Sequence, residues 1–408
     1  MNCWRKHWGR AMSEPTKTLV PKLRFPEFLD VGEWKQSKLG ERAVSIFVKE
    51  RTPLQNLSLD NYVSTENLLP DFAGVINAAK LPPNGSFTRF KEGDVLISNI
   101  RPYLKKVWSA NKNGASSNDV IVIRAQSSIS DSFLTFLLKN DNFIDYIMKG
   151  AKGVKMPRGD ISLMKEYPVA IPSPKEQQKI ADCLSSIDEL ITAQTNKIAA
   201  LKNHKKGLMQ QLFPLEGETI PKLRFPEFQD AGEWDQDKLE NLINTVTPPQ
   251  KLPTALYQAE GQFPIIDQSQ SYICGWTNNQ DALIVNDLPL IIFGDHTCVL
   301  KIVNLPFAQG ADGIKILKTK ERVETNYLYQ YLQFNPVVME EYKRHFSILK
   351  EKMISFPKIE TGEQQKIADC LSSIDDLITT HTQKLEAYKA HKKGLMQQLF
   401  PNTDEVGE

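Results

Sequence analysis

Cysteine and histidine are scarce in this chain of 408 residues, at five and six respectively. Cys3, Cys183, Cys274, Cys298 and Cys370 form no CxxC pair and no metal-ligand spacing, and no two histidines are spaced for zinc. Neither a disulfide framework nor a metal centre is expected, and a reduced, cytoplasmic setting follows. No run of eighteen apolar residues occurs, so no transmembrane helix is expected. The opening segment, MNCWRKHWGRAMSEPTKTLV, is basic but lacks the apolar stretch of a secretory signal. It reads as an N-terminal extension (1–20), with Met12 a candidate start because the polar lead before it matches nothing later. A dominant charge is missing as well, the formal net charge being +1. The distribution of charge, not its sum, has to indicate whether nucleic acid is a partner.

Catalytic signatures are also missing. No GxxxxGK[ST] loop is present to cradle phosphates. TPPQ at 247–250 and NPVV at 335–338 are the nearest strings to the Asn-Pro-Pro-aromatic cradle of a base methyltransferase, and neither fits. No PD…(D/E)xK set stands out for a nuclease. FGDH at 293–296 is the most enzyme-like fragment, since a loop histidine beside an aspartate could act as a general base. A polar loop tip touching a ligand is the better reading of it. In a chain this long, such gaps favour a binding protein over an enzyme.

What the chain does have is repetition. PKLRFPEFLDVGEWKQSKL (21–39) returns as PKLRFPEFQDAGEWDQDKL (221–239), with 15 of 19 positions identical. EQQKIADCLSSIDELITAQTNKIAALKNHKKGLMQQLFP (176–214) returns at 363–401 with 31 of 39 identical. The long stretches between these near-copies are almost unrelated, so one scaffold presents two different surfaces. A hydrophobic fraction of 41% and a charged fraction of 24% are ordinary for a globular protein, and the length asks for at least two domains. The expected division is a first domain over 21–174, a first conserved helix over 175–214 and a linker over 215–220. A second domain over 221–362, a second helix over 363–401 and a tail over 402–408 complete it. PLEGETIP (214–221) has the proline, glycine and acidic residues of an exposed linker.

The longer repeat predicts a helix with a heptad seam. In the first copy Ile180, Leu184, Ile187, Ile191, Gln194, Ile198, Leu201, Lys205, Leu208 and Leu212 recur at alternating steps of four and three. The second gives Ile367, Leu371, Ile374, Ile378, His381, Leu385, Tyr388, Lys392, Leu395 and Leu399 in the same register. Each copy ends at Phe-Pro, which denies the helix its next donor. A helix of this length makes a rod of roughly 55–60 Å. The obvious partner for its apolar stripe is the other copy, with Gln194, His381, Lys205 and Lys392 helping to fix register. Ordinary core helices packing on their own inserts are the plainer alternative.

The inserts read as mixed and strand-rich. Insert 1 has apolar runs at 95–100 and 120–123, then a helical stretch over 132–149; insert 2 has runs at 282–285, 290–293 and 314–317, then a helix over 326–344. Each closes on a proline-containing return strand, YPVAIP (167–172) or ISFPKIE (354–360). Basic patches punctuate them. SFTRFKEGDVLISNIRPYLKKVW (86–108) has Arg89, Arg101, Lys105 and Lys106 with Asn99 and Tyr103 interleaved. KGAKGVKMPRGD (149–160) sets Lys152, Lys155 and Arg158 on a glycine-rich loop. YKRHFSILKEK (342–352) supplies Lys343, Arg344, Lys350 and Lys352 at the matching place in insert 2. The loops DQSQSY, GDHT and AQGADG add Gln268, Ser269, His296, Thr297 and Gln309. Cations neutralise phosphates while amides and guanidiniums read base edges, so these residues are candidates for DNA contact.

The frame PKLRFPEF…GEW, the strand and loop GDVLISNIRPYLKKVW and the stretch IPSPKEQQKIADCLSSIDELI resemble the specificity subunits of type I restriction–modification systems. The resemblance covers nearly the whole chain from residue 21, with ETGEQQ (360–365) replacing PSPKEQQ in the second copy. It implies an α+β fold: two mixed α/β target-recognition domains separated by two long helices in an antiparallel coiled coil, an internal pseudo-two-fold duplication. It also implies a non-catalytic subunit in which each domain reads half of a bipartite asymmetric site in double-stranded DNA. Two modification subunits dock on it, followed by restriction subunits. S-adenosylmethionine, ATP and Mg are then expected on those partners, with no cofactor bound by this chain and no membrane involved. Half-sites on one face of a duplex recur about every 34–36 Å, a separation within reach of such a rod. Two other classes stay open. A self-sufficient DNA-modifying or DNA-cleaving enzyme would show activity without partners, and a protein-only coiled-coil scaffold would lack salt-dependent DNA binding.

Overall fold

The computed structural model describes residues 19–153, 155–311, 313–340 and 344–401. Most of the expected N-terminal extension, the tail from 402, and Lys343 therefore lie outside the described residues. The chain forms two compact units, Met1–Ala193 with Leu385–Glu408, and Gln194–Lys384. The division runs through both long helices rather than at the linker.

The first unit begins with β1 (Lys35–Lys38), β2 (Ser45–Phe47), β3 (Arg51–Pro53) and β4 (Tyr62–Val63). β5 (Ser86–Phe90), β6 (Val95–Ser98), β7 (Val107–Ser109), β8 (Gly114–Ser116) and β9 (Val120–Ala125) follow. Helices α1 (Asp131–Leu138), α2 (Asp141–Lys149) and α3 (Ile161–Lys165) precede β10 (Pro168–Ile171) and the long α4 (Pro174–Leu212). The sheets run β2-β9-β6-β7, β3-β5-β8-β4 and β1-β10. β6 is buried at every position because its two faces enter different cores. Val95 and Ile97 join the larger core against α1 and α2, and Leu96 joins a smaller one with Phe90 and Trp108. A strand covered on both faces reads in sequence as an unbroken apolar run.

The second unit repeats the plan with β11 (Asp235–Lys238), α5 (Leu239–Leu242), β12 (Ile243–Val246), β13 (Phe263–Ile266) and β14 (Gly275–Thr277). It continues with β15 (Leu283–Ile284), β16 (Leu290–Gly294), β17 (Leu300–Val303), β18 (Phe307–Gln309) and β19 (Ile314–Thr319). α6 (Thr325–Phe334), α7 (Phe346–Lys350), β20 (Met353–Phe356) and α8 (Glu363–Leu399) complete it. Its sheets are β12-β19-β16-β17, β14-β13-β18-β15 and β11-β20. Along β16, Ile291 and Phe293 enter the helix-backed core while Leu290 and Ile292 enter the other, as in β6.

The repeated segments are what tie each unit together. β1 pairs antiparallel with β10, and β11 with β20, so each shorter repeat clasps the return strand that leads into a long helix. Arg24 forms a bidentate ion pair with Glu176 at 2.7 and 2.8 Å, and Arg224 one with Glu363 at 2.7 and 2.6 Å. All four side chains are buried. The next residue along each helix seals the module: the Gln177 amide accepts from Ser130 N, and that of Gln364 from Glu324 N, the N-caps of α1 and α6. The EQQ repeat is thus a connector, with one carboxylate for the frame and one amide for the insert.

Within each unit the long helices meet antiparallel. In the second, Gln194 lies 2.7 Å from His381 Nδ1, and Lys205 donates to both Asp375 oxygens at 2.7 Å and to Gln333. In the first, Lys392 donates to Asp188 at 2.6 Å and stands over the Phe136 ring. Ile180, Leu184, Ile187, Ile198, Ile367, Leu371, Ile374 and Leu385 are buried, while Ile191, Leu201, Leu208, Ile378, Tyr388 and Leu395 are half-buried. Helix ends plug into the recognition modules. Phe213, closing the first helix, packs against Tyr327, Tyr331 and Phe334 of α6 at 5.2–5.7 Å between ring centroids. Phe400 meets Phe133 of α1 at 5.3 Å.

Two helix expectations need correction. The stretch over 132–149 is two helices, because Asn140 leaves the first to cap the second and donates to Met396 O. The helix expected over 326–344 stops at Phe334, where Asn335 and Pro336 end it, since proline has no amide hydrogen to donate.

Candidate nucleic-acid interface

In the first unit most of the candidate residues gather at the β6–β7 hairpin tip, while Arg89 lies apart on β5. Residues 99–106 connect the strands through a short turn at Pro102–Leu104, flanked by Arg101 at φ 50° and Lys105 at φ 54°. Both are left-handed, and a non-glycine residue there costs about 1–3 kcal/mol. The surroundings hold the loop in place. Asn99 N donates to Asp119 O, Arg101 N to Pro157 O, Asp71 N to Leu104 O and Phe72 N to Lys105 O, all at 2.8–3.0 Å. The second basic patch leans on the same tip. Lys152 and Arg158 exchange backbone hydrogen bonds, and Gly159 N donates to Asn99 O at 3.1 Å. A Cβ on Gly159 would fall 2.5 Å from Met164 Cε and 3.0 Å from Asn99 Oδ1, so a side chain here would have to displace the methionine tip and crowd the Asn99 amide.

The cations at this tip differ in availability. Lys105 is held by Asp141 at 2.7 Å, Lys106 by the Thr65 carbonyl at 2.7 Å, and Arg158 by Asp119 at 2.7 Å. Lys152 lies 3.5 Å from Asp160. Among the described residues, no hydrogen bond or ion pair engages the side chains of Arg89, Arg101 or Lys155. Arg101 Nε and Asn99 Oδ1 are buried without a partner. Tyr103 is 48% exposed on the same turn, leaving its ring free to meet a ligand.

The β16–β17 hairpin is the topological counterpart in the second unit, with Cys298 left-handed at φ 54° two residues before its return strand, as Lys105 is before β7. Its loop, residues 295–299, borders a cavity of about 430 Å³ lined by Lys251, Gln268, Asp295, His296, Lys315 and Arg344, among others. Asp295 is buried and organises the rim: its carbonyl accepts from His345 N and its carboxylate from Phe346 N, both at 2.8 Å. Thr297 Oγ1 donates to Gln268 O at 2.8 Å, and His296 N to Gln268 Oε1 at 3.4 Å. Ser269 N donates to Asp267. Lys301 braces this loop from below by donating to Asp267 O and Ser271 O, and burial pushes its pKa down. Burial also pushes the nearby Cys274 thiol up to about 11.

Three candidates sit differently. Gln309 is buried inside β18. Lys352 is half-buried, donates to Asn335 Oδ1 at 2.7 Å, and has its pKa pushed down by burial. Lys350 faces Glu240 at 3.8 Å and the Phe346 ring. Lys251 and Lys315 were not singled out by the sequence. Lys315 was legible in principle, since strand alternation turns it away from its buried neighbours Ile314 and Ile316. Among the described residues there is no group of three or more His, Cys, Asp or Glu that could hold a metal, and no helix long and apolar enough to cross a membrane.

A family model described as Type I restriction modification DNA specificity domain matches residues 32–203 and again 232–389. The chain belongs to that family and contains its domain twice. It is 27% identical over 303 residues to the putative type I restriction enzyme MjaX specificity subunit of Methanocaldococcus jannaschii, covering 67% of this chain and 68% of that protein. It is 23% identical to the MjaVIII specificity subunit of the same organism over 93% of both chains. In fold it is similar to the crystal structure of the type I restriction–modification S subunit from M. genitalium, with TM-score 0.63, 14% identity, and coverage of 94% of this chain and 99% of that one.

Proposed function

We propose that this chain is the non-catalytic DNA-recognition subunit of a type I restriction–modification complex, each module reading one half of a bipartite asymmetric site. One observation carries the reading: the same hairpin, at the same edge of the same four-stranded sheet, bears unrelated polar loops in the two modules of a duplicated scaffold. A shared frame suits two copies of one partner, and unlike tips suit two unlike half-sites. In this reading the long helices set the spacer and dock two modification subunits, which restriction subunits join. S-adenosylmethionine, ATP and Mg belong to those partners, and the complex works on cytoplasmic double-stranded DNA.

The test is exchange of an insert. Replacing the insert between β1 and β10 with that of a relative, in cells that express the whole system, is expected to change one half of the methylated motif and leave the other half intact. Genome-wide single-molecule methylation mapping reads the outcome. A motif unchanged after the exchange, or changed in both halves, would count against the assignment.

A further inference from the structure

Resting on that reading, we infer that Arg101 is a base-reading residue of the first module, while its cationic neighbours position the loop or meet phosphates. Phosphate contacts tolerate a flexible cation, because they carry charge and little geometry. Reading a base edge demands a planar fork held at a fixed place, and the commonest such contact is arginine across O6 and N7 of guanine. Lys105, Lys106 and Arg158 already have protein partners at 2.7 Å, and Lys152 is exposed with only a 3.5 Å contact to Asp160. Arg101 has none, yet it is the most constrained of the set.

Its backbone is left-handed immediately before Pro102, and its amide is tied to Pro157 O at 2.8 Å. Leu104 N closes the turn back onto the Arg101 carbonyl at 2.9 Å. Its Nε is buried, so the side chain cannot swing as a surface lysine does. The Asn99 carbonyl is bound by Gly159 N, and a Cβ at Gly159 would stand only 3.0 Å from the Asn99 amide oxygen. A guanidinium so fixed, and unpaired within the protein, has the geometry that bidentate readout needs. Arg89, also unpaired, lies exposed along β5, and Lys155 is exposed in the glycine-rich loop, so neither is fixed in this way.

The experiment uses the full-length chain with whatever subunits copurify, and selects bound duplexes from a pool of random sequence at several salt concentrations. Arg101→Lys keeps the charge and loses the fork. Arg101→Gly removes the guanidinium while allowing the φ of 50° that the loop requires. Both variants are expected to lose a guanine preference of roughly ten- to a hundredfold at one position in one half of the selected site. The other half stays unchanged, and the salt slope of Arg101→Lys stays within about one unit of wild type. An unaltered selected site overturns the inference, as does a uniform loss of affinity, which would make Arg101 a phosphate contact. If the wild-type protein shows no salt-dependent duplex binding, the functional reading itself falls, an outcome distinct from either of those.

Discussion

At the scale of single residues, the two units solve the same packing problem with different chemistry. Lys205 meets Asp375 and Gln333, so the cation has acceptors, and Asp375 also takes a hydrogen bond from Gln330. At the matching place in the first unit, Lys392 meets Asp188 and the Phe136 ring, and Lys139 stands where Gln333 stands in the other. Burial, with Lys392 as the second cause, pushes the Lys139 pKa down. A lysine whose folded pKa lies below its unfolded value leaves the unfolded state holding more protons, so stability climbs as pH rises from that lowered value towards 10.5. Lys139→Gln is therefore expected to raise the melting temperature of the first unit at pH 7, by about 2–4 °C for each kcal/mol relieved. The difference between variant and wild type should shrink on approach to pH 10.5. Calorimetry across that range checks both, and a variant less stable at neutral pH would show that the ammonium earns its place through Asp188.

At the scale of elements, the buried Arg24–Glu176 and Arg224–Glu363 pairs join frame to helix. Such pairs are weak evidence for net stability, but removing one partner strands the other charge at a cost of about 3–5 kcal/mol. Glu176→Gln should destabilise the first unit accordingly, with hydrogen exchange rising first along β1 and β10. Arg24→Met with Glu176→Leu should lose less than either single change, and a double-mutant cycle measures that. Glu363→Gln should cost the second unit somewhat less, because Trp34 Nε1 donates to Glu176 at 3.2 Å whereas Trp234 Nε1 has no partner. Periodicity made the long helices and the strands 95–98, 120–125 and 290–294 legible, because both depend on local spacing and two-sided burial. The break at Asn140 carried a local mark, an asparagine suited to cap the next helix, but its hydrogen bond to Met396 comes from far along the chain and left no trace in the sequence. The site was half legible for a related reason. Sequence flags a lysine, but the acid that neutralises it, Asp141 for Lys105 or Asp119 for Arg158, is brought in by the fold.

At the scale of the molecule, both long helices run through both units, so their length is a property that neither unit sets alone. Adding one heptad to each helix lengthens the pair by about 10.5 Å, close to the rise of three base pairs. Under the proposed function, the spacer between half-sites should then grow while the half-sites themselves persist. Methylation mapping reads this directly, and an unaltered spacer would sink the idea of the helices as a ruler.

The plugs at the helix ends have a consequence of another kind. HKKGLMQQLFP closes both helices without a single difference, and it supplies Phe213 to one module and Phe400 to the other. Each recognition module is therefore finished by a segment outside its own insert: Phe213 lies just ahead of the second module, and Phe400 far beyond the first. Mutations confined to a hairpin tip leave both plugs untouched. One identical closing segment thus fits two unlike inserts, so an insert can be exchanged while the aromatic plug that completes its module stays in place.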